Sequence, residues 1–447
     1  MAPDDRKAPS KAETLYRERT PRSRELFDEV SRLIPGGVTG TGFLHPYPSY
    51  IARADGCYLY DVDGNRLTDF MNAAFVLPLG HNHPKVKQAI RKQLKNGMFF
   101  TFPSTVEHEL AREIVDRIPS IEKVRFSVSG TEATMYATRL ARAFTGRTKV
   151  AKVVGGYHGT HDGLWIGVGR AAGTGEISVP AGVIPEAREE LVFLEFNDAE
   201  ASVKAIEDEK DRLAAVIIEP IMGAGGLLPP GPGYLEALRD VTAKHGIVLI
   251  FDEMISFSIA RGGAQEFYGV TPDMTTTGKC AGGGLPIGVF GGRAEIMDLV
   301  DPTKSSTGYA KVSHIATYGG HPLAMVSGLA YLQAMTPEVY ARLHRLGDMV
   351  RSELRRLFAR LEVPMQVTGV AHLFGFHWTQ QEVTDYRSAA SSDRDVIHDI
   401  CLALISKGYF PSSGARCCVS AAMSERHIRG FVRAMEESLV ELDLASK

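Results

Sequence analysis

Two side chains of opposite charge stand 27 positions apart (279 − 252) in this 447-residue chain. Asp252 falls at the end of the apolar run IVLIFDE, and Lys279 sits in TTTGKCAGGGLPIG among glycine and other small residues. A lysine amine condenses with an aldehyde to a Schiff base, and a carboxylate holds a pyridine nitrogen protonated so that its ring accepts electrons. An acid and an amine presented at neighbouring strand ends therefore suit pyridoxal phosphate. The small residues let a flat ring lie close to the backbone while the lysine keeps room to swing. Desolvation beside a cationic ring is expected to lower the lysine's pKa. Taken alone, the same two residues could equally form a buried salt bridge or be solvated.

Two further stretches add to the pattern. SGTEATMYATRLARA places Ser129, Gly130 and Thr131 between a strand and a helix, where free amides and two hydroxyls suit a phosphate dianion. The same tripeptide before a glutamate is also an ordinary helix cap. In GGYHGTHDG, Tyr157 follows a strand and could lay its face on a flat ring. His158 and His161 have an H-x-x-H spacing but no third ligand follows, so hydrogen-bonded loop histidines are expected and no metal. A strand ending in Asp-Glu also suits a nucleotide hydrolase, which needs G-x-x-x-x-G-K-[ST]. The Gly278–Lys279 pair is followed by Cys280, and position 273 is Asp, so that loop is absent.

The elements that must position these residues follow from periodicity. Short β-branched runs at Val124–Val128, Lys149–Val154, Ala214–Pro220 and Ile247–Glu253 alternate with helical patterns. In the first of these patterns Met135, Leu140 and Phe144 suit one helix face, and Gly233–Gly246 is an amphipathic helix closed by glycine. Strand, helix and strand in sequence imply an α/β fold with a mostly parallel sheet flanked by helices. The large domain is expected over 75–330, after a flexible arm over 1–20 and an N-terminal part of a smaller α+β domain over 21–74. In that part IARADGCYLYDVDGNRLTDF reads as a hairpin turning at Asp63–Gly64. Residues 331–447, with helices near Pro337–Leu361 and Ser424–Leu442, complete the smaller domain. A net charge of −3 gives no pull towards nucleic acid or anionic membrane, and no apolar run approaches the ~20 residues of a span. The polar N-terminus has no signal-peptide core, and five cysteines without a C-x-x-C pair point to a reducing cytoplasm.

In order, S-G-T-E-A, Y-H-G, E-P, F-D-E, T-x-G-K-x-x-G-G-G-L-P-x-G and H-x-x-T-Y resemble the class III pyridoxal-phosphate aminotransferases. The likeness is greatest to the branch of glutamate-1-semialdehyde aminomutase and the β-phenylalanine and D-phenylglycine aminotransferases. It runs from about Pro35 to Ser424 and includes PGGV, ADGCYLYDVDGN, LGHNHP and ARAFTGR. The resemblance implies the fold-type I transferase architecture and a homodimer with a shared active site. It implies Lys279 as Schiff-base lysine and proton carrier, and Asp252 on the pyridinium nitrogen. Ser129, Gly130 and Thr131 would hold the phosphate, Tyr157 and Met254 the two ring faces, and Thr317 the phosphate of the neighbouring subunit.

Three departures bear on the reaction. EPIMGAGG carries Met222 where many members have a glutamine against the ring hydroxyl, and Ala224 where the aminomutase has an asparagine. PGGVTGTGFLHPYPSY lacks the arginine with which its relatives bind substrate carboxylate, leaving Thr39, Thr41, Phe43 and His45 to floor the pocket. The aminomutase's C-terminal glutamate aligns near Ala415, beside Arg416, the candidate carboxylate clamp. The expected activity is therefore a cytoplasmic aminotransferase carrying an amino group from a donor, glutamate by analogy, to a keto acid, β-keto acid or cyclic ketone. The alternatives are an aminomutase or racemase with the same cofactor, and an idle cofactor-binding protein.

Overall fold

The computed structural model describes residues 8–40, 45–168, 177 and 179–446. These form two compact units: residues 1–82, 342–382 and 391–447 in the first, and 83–341 with 383–390 in the second.

The second unit is built on a seven-stranded sheet. Its strands in chain order are β1 (Lys123–Ser127), β2 (Lys149–Val153), β3 (Leu191–Leu194), β4 (Leu213–Ile218), β5 (Val248–Asp252), β6 (Met274–Gly278) and β7 (Gly288–Gly292). Their spatial order is β1-β7-β6-β5-β4-β2-β3. Neighbours from β6 to β3 run parallel, and β7 is antiparallel to both β6 and β1. It follows that β1 points the same way as β6, and that all strands except β7 end at one edge.

Strand alternation explains why the sheet is covered on both faces. Ala215, Ile217, Val248 and Ile250 join Ala137 and Leu140 of helix Gly130–Thr145 in one apolar cluster. Val216, Ile218, Leu249 and Phe251 join Leu235 and Leu238 of helix Tyr234–His245 in another. Each such fully buried aliphatic side chain contributes roughly 1.5–3 kcal/mol, so the centre of this sheet is the natural core of the unit. The face of helix Gly130–Thr145 differs from the expected one: Ala133, Tyr136, Ala137, Leu140 and Ala141 are buried, whereas Met135 is half-buried and Phe144 exposed. Met135 lies well round the helix from the stripe that a 3.6-residue repeat draws through Leu140, whereas Phe144 keeps the face of Leu140 but falls in the last turn, one residue before the helix ends at Thr145.

The first unit carries a four-stranded sheet, Ile51–Asp55, Tyr58–Asp61, Arg66–Asp69 and Tyr409–Phe410, with the expected hairpin between Tyr58–Asp61 and Arg66–Asp69. A second sheet joins Met365–Thr368, Leu373–Trp378 and Arg416–Cys418 antiparallel. Phe70 and Phe431 pack with ring centroids 4.4 Å apart, and Phe374 meets Phe70 edge-on at 5.9 Å.

The boundaries lie elsewhere than at 74/75 and 330/331. Residues up to Asn82 stay with the first unit because His81 and Gly56 exchange main-chain bonds of 2.7 and 3.2 Å. The second unit opens with helix Pro84–Leu94, which packs on helix Pro322–Ala334. Residues 383–390 return to it, tied by an Arg387–Glu195 ion pair of 2.6 Å.

The arm expected to be flexible over 1–20 is corrected from Lys11 onward. Lys11–Arg19 is a helix capped by Ser10, with Tyr16 fully buried and its hydroxyl donating to the Tyr47 carbonyl at 2.9 Å. Its buried stripe is only Ala12 and Tyr16, too narrow to stand out in so polar a sequence. Truncating Tyr16→Ala is expected to cost about 3–5 kcal/mol, the range for a buried aromatic. The check is a lowered melting temperature with faster tryptic cutting at Arg17 and Arg19.

Candidate active site

The shared edge of strand ends places the candidate residues. Asp252 ends β5, Lys279 directly follows β6, and the two strands pair with Asp252 opposite Thr276. Acid and amine therefore stand at adjacent parallel strand ends. Lys279 opens a tight turn, Lys279–Gly282, with φ of 45°, a left-handed conformation that is uncommon for a residue with a side chain. Strain of this kind persists where the surroundings over-determine it.

Asp252 is buried, and its Oδ2 accepts from Nδ1–H of His158 at 2.8 Å, while Oδ1 accepts from the Met254 amide at 3.2 Å. A carboxylate oxygen only accepts, so the shared proton sits on Nδ1 of the imidazole. Burial pushes the His158 pKa down, against the opposing pull of Asp252. Burial thus favours the neutral form of the imidazole. Thr134 Oγ1 fixes the same histidine by donating to its carbonyl at 2.6 Å. His158 Nε2 is buried without a partner among the described residues.

At the end of β1, the Ser129 hydroxyl accepts from the Glu132 amide at 3.2 Å, and Glu132 Oε2 accepts from the Val128 amide at 2.8 Å. Ser129 is therefore occupied as a helix cap. The Gly130 and Thr131 amides lie in the first turn of a 16-residue helix, where no intrahelical carbonyl reaches them. Thr131 Oγ1 accepts from the Thr160 amide at 3.2 Å, joining this turn to the Tyr157 loop. At Gly130 a Cβ would lie 2.9 Å from Met254 Sδ, so the methionine side chain would have to shift. Gly288 of β7 is constrained more tightly: a Cβ would come within 2.1 Å of the Ser129 carbonyl oxygen, which is backbone. The glycines of GGGLPIG thus let β7 back directly onto the Ser129–Thr131 turn.

Tyr157 is 42% exposed, with its ring edge-on to Trp165 at 5.9 Å. Its amide donates to Glu219 Oε2 at 3.0 Å, and Glu219 Oε1 accepts from Gly223 at 3.2 Å. Burial, helped by nearby Asp252, raises the Glu219 pKa to about 7. Met222 is buried in the apolar cluster with Leu228 and Phe251.

The structure brings Ser129, Gly130, Thr131, Tyr157, Asp252, Met254 and Lys279 to one edge of one sheet. Thr317 belongs to the same unit, in a segment where Ile315 and Tyr318 are also exposed. Arg416 belongs to the first unit, half-buried at the head of its strand, with its amide donating to Ser412 Oγ at 2.8 Å. Thr39 and His45 are exposed in that unit, and Phe43 and Thr41 lie outside the described residues. Sequence reasoning missed the His158–Asp252 pair, because nothing in H-x-x-H names a partner 94 positions away. It also passed over Glu219, signalled only by the E-P dipeptide.

These residues fit pyridoxal phosphate. The donor set offers a helix-start anion site, a buried carboxylate hydrogen-bonded to a histidine, and an amine one strand away. The cradle at Gly130 is one that a side chain would fill, and the Nε2 of His158 still lacks a partner. The family model for class-III aminotransferases matches residues 44–436. A glutamate-1-semialdehyde 2,1-aminomutase from Methanothermobacter thermautotrophicus is 40% identical over 94% of this chain and 99% of its own. An ω-transaminase structure from Sphaerobacter thermophilus is 37% identical, with a TM-score of 0.91 over 96% of this chain and 99% of that one. A β-phenylalanine aminotransferase structure from Variovorax paradoxus is 31% identical, with a TM-score of 0.88 over 96% of each chain. With a matching family model, relatives of full length and a site that fits the cofactor, the chain belongs to the class-III aminotransferases, fold-type I enzymes that use pyridoxal 5'-phosphate.

Proposed function

We propose that the chain is a transaminase that moves an amino group from an amino acid donor, with glutamate the first candidate, to a keto acid, β-keto acid or cyclic ketone. The observation that carries this reading is the placement of Asp252, fixed by His158, beside Lys279 at adjacent parallel strand ends. The bound cofactor supplies an aldehyde that exchanges amines and a ring that accepts electrons. Lys279 holds the cofactor through Nζ and then carries the proton to and from the substrate carbon. Asp252 keeps the proton on the ring nitrogen. The Gly130 and Thr131 amides, with Ser129, hold the phosphate dianion at the positive end of the helix. Tyr157 and Met254 cover the two ring faces and exclude water.

Two features support transfer between molecules over transfer within one. Residues 35–50 contain no arginine, and position 415 is a buried alanine where the aminomutase resemblance implies a glutamate. Solved relatives at 37% and 31% identity are transaminases. The second reading, an aminomutase, draws its support from the curated relatives: aminomutases of 34–40% identity, spanning 93–95% of this chain. Names favour the aminomutase; the substrate positions favour the transaminase.

The enzyme acts as a homodimer with Thr317 reaching the partner's phosphate site. Exposed Phe99, Phe102, Tyr309, Ile315 and Tyr318 on the second unit support a second copy as the group that covers them. Five free, buried thiols favour a cytoplasmic setting.

The test is the visible absorption of the holoenzyme as single amino acids are added without acceptor. Loss of the band with one donor and its return with one carbonyl compound identify both half-reactions. Conversion of a single amino aldehyde with no donor present moves the assignment to the aminomutase. No band after incubation with pyridoxal phosphate overturns both.

A further inference from the structure

Lys152 is a fully buried lysine in the sheet, and no step above uses it. Its ammonium donates to the carbonyls of Leu164 at 2.7 Å and Ile166 at 3.0 Å. Both lie on the returning limb of the loop that leaves β2, carries Tyr157 and His158, and closes where the Gly155 amide meets the Gly167 carbonyl at 2.8 Å. On the outgoing limb, the Tyr157 amide donates to Glu219, another buried group, just past the end of β4. Strands β2 and β4 are neighbours, with Lys152 opposite Ile217, two positions before Glu219. The two side chains also sense one another: burial lowers the Lys152 pKa to about 7, and the Glu219 charge opposes that fall.

We propose that Lys152 and Glu219 are positioning residues that form a charge-complementary clamp on the Gly155–Gly167 loop. The cation takes carbonyls on one limb and the anion takes an amide on the other, so Tyr157 and His158 are held in register with Asp252. An ammonium has only donors and a carboxylate only acceptors, so neither limb can slip by one residue and keep its bond. A loop that merely had to close would not need buried charges, since the Gly155–Gly167 bond already closes it and each charge loses its hydration on burial. Glu219 ties a third segment through the Gly223 amide, behind Met222.

The inference rests on the reading that this loop covers bound pyridoxal phosphate, and its test separates the two. Lys152→Gln and Glu219→Gln keep some hydrogen bonding and remove the charge. Each is expected to raise the rate of cofactor release from the diluted holoenzyme about tenfold, the loss of one charge-assisted bond, and to change the visible circular dichroism. The double variant should match the worse single variant, because both act on one loop. Release within about twofold of wild type in both single variants, or a double variant equal to their product, overturns the clamp. A fall in melting temperature alone, with release and dichroism unchanged, also overturns it. Where Lys152→Gln does not fold, Lys152→Met keeps the buried stem, and Glu219→Gln decides the matter by itself. If the wild type fails to bind the cofactor, the functional reading fails instead.

Discussion

Lys279→Ala is expected to lower kcat by at least about 10,000-fold. On the proposed roles, the substitution removes two functions at once, the amine that holds the cofactor and the group that carries the substrate proton, and general acid–base catalysis alone contributes up to about 10,000-fold. The fold should survive. The turn that Lys279 opens is closed by main-chain bonds, Gly283 amide to Cys280 carbonyl at 3.0 Å and Leu285 amide to Gly282 carbonyl at 3.1 Å, and none involves the side chain. The phosphate turn and Asp252 are untouched, so the variant should still bind cofactor without covalent attachment. Steady-state turnover together with cofactor content after gel filtration checks both halves. A variant within about tenfold of wild type would remove Lys279 from the role of proton carrier.

Asp252→Asn is the second large effect, expected at about 100- to 1,000-fold in kcat, the range for removing one preorganised charge from a water-excluded site. The amide can still accept from His158 Nδ1–H, so the imidazole need not turn. What disappears is the negative charge proposed to keep a proton on the ring nitrogen. Burial already lowers the His158 pKa against the pull of Asp252, so removing that pull drives it lower still. The comparison is with Asp252→Glu, which keeps the charge but displaces it by one methylene and should retain more activity. Equal kcat for the Asn and Glu variants would mean that charge at this position does not matter.

The contrast between these two residues and the rest of the site shows what a sequence carries. Asp252 and Lys279 were legible because each closes a short β-branched run, and parallel strands that alternate with helices bring such ends to one edge. The Ser129–Thr131 turn was legible for the same reason, although Ser129 proves to be engaged as a cap. His158 was named but left among the loop histidines, since its partner is set by the order β5-β4-β2, which no local pattern encodes. Lys152 escaped notice because a lysine inside KVAKVV reads as an edge charge, yet the two loop carbonyls allow it to be fully buried. The antiparallel β7 was missed because Gly288–Gly292 is glycine-rich, and the strand Arg416–Cys418 because it is only three residues long. The N-terminal helix was hidden by its polarity.

The close fit of Gly130 against Met254, and of Gly288 against the Ser129 carbonyl, also sets limits for anyone redesigning the substrate range. A library that randomises Met254 meets free backbone at Gly130, so smaller residues there should open space beside the cofactor cradle without moving it. A library that includes Gly288 instead displaces the main chain of the phosphate turn with every residue except glycine. Diversity is cheap at the first position and ruinous at the second, though both border the same turn.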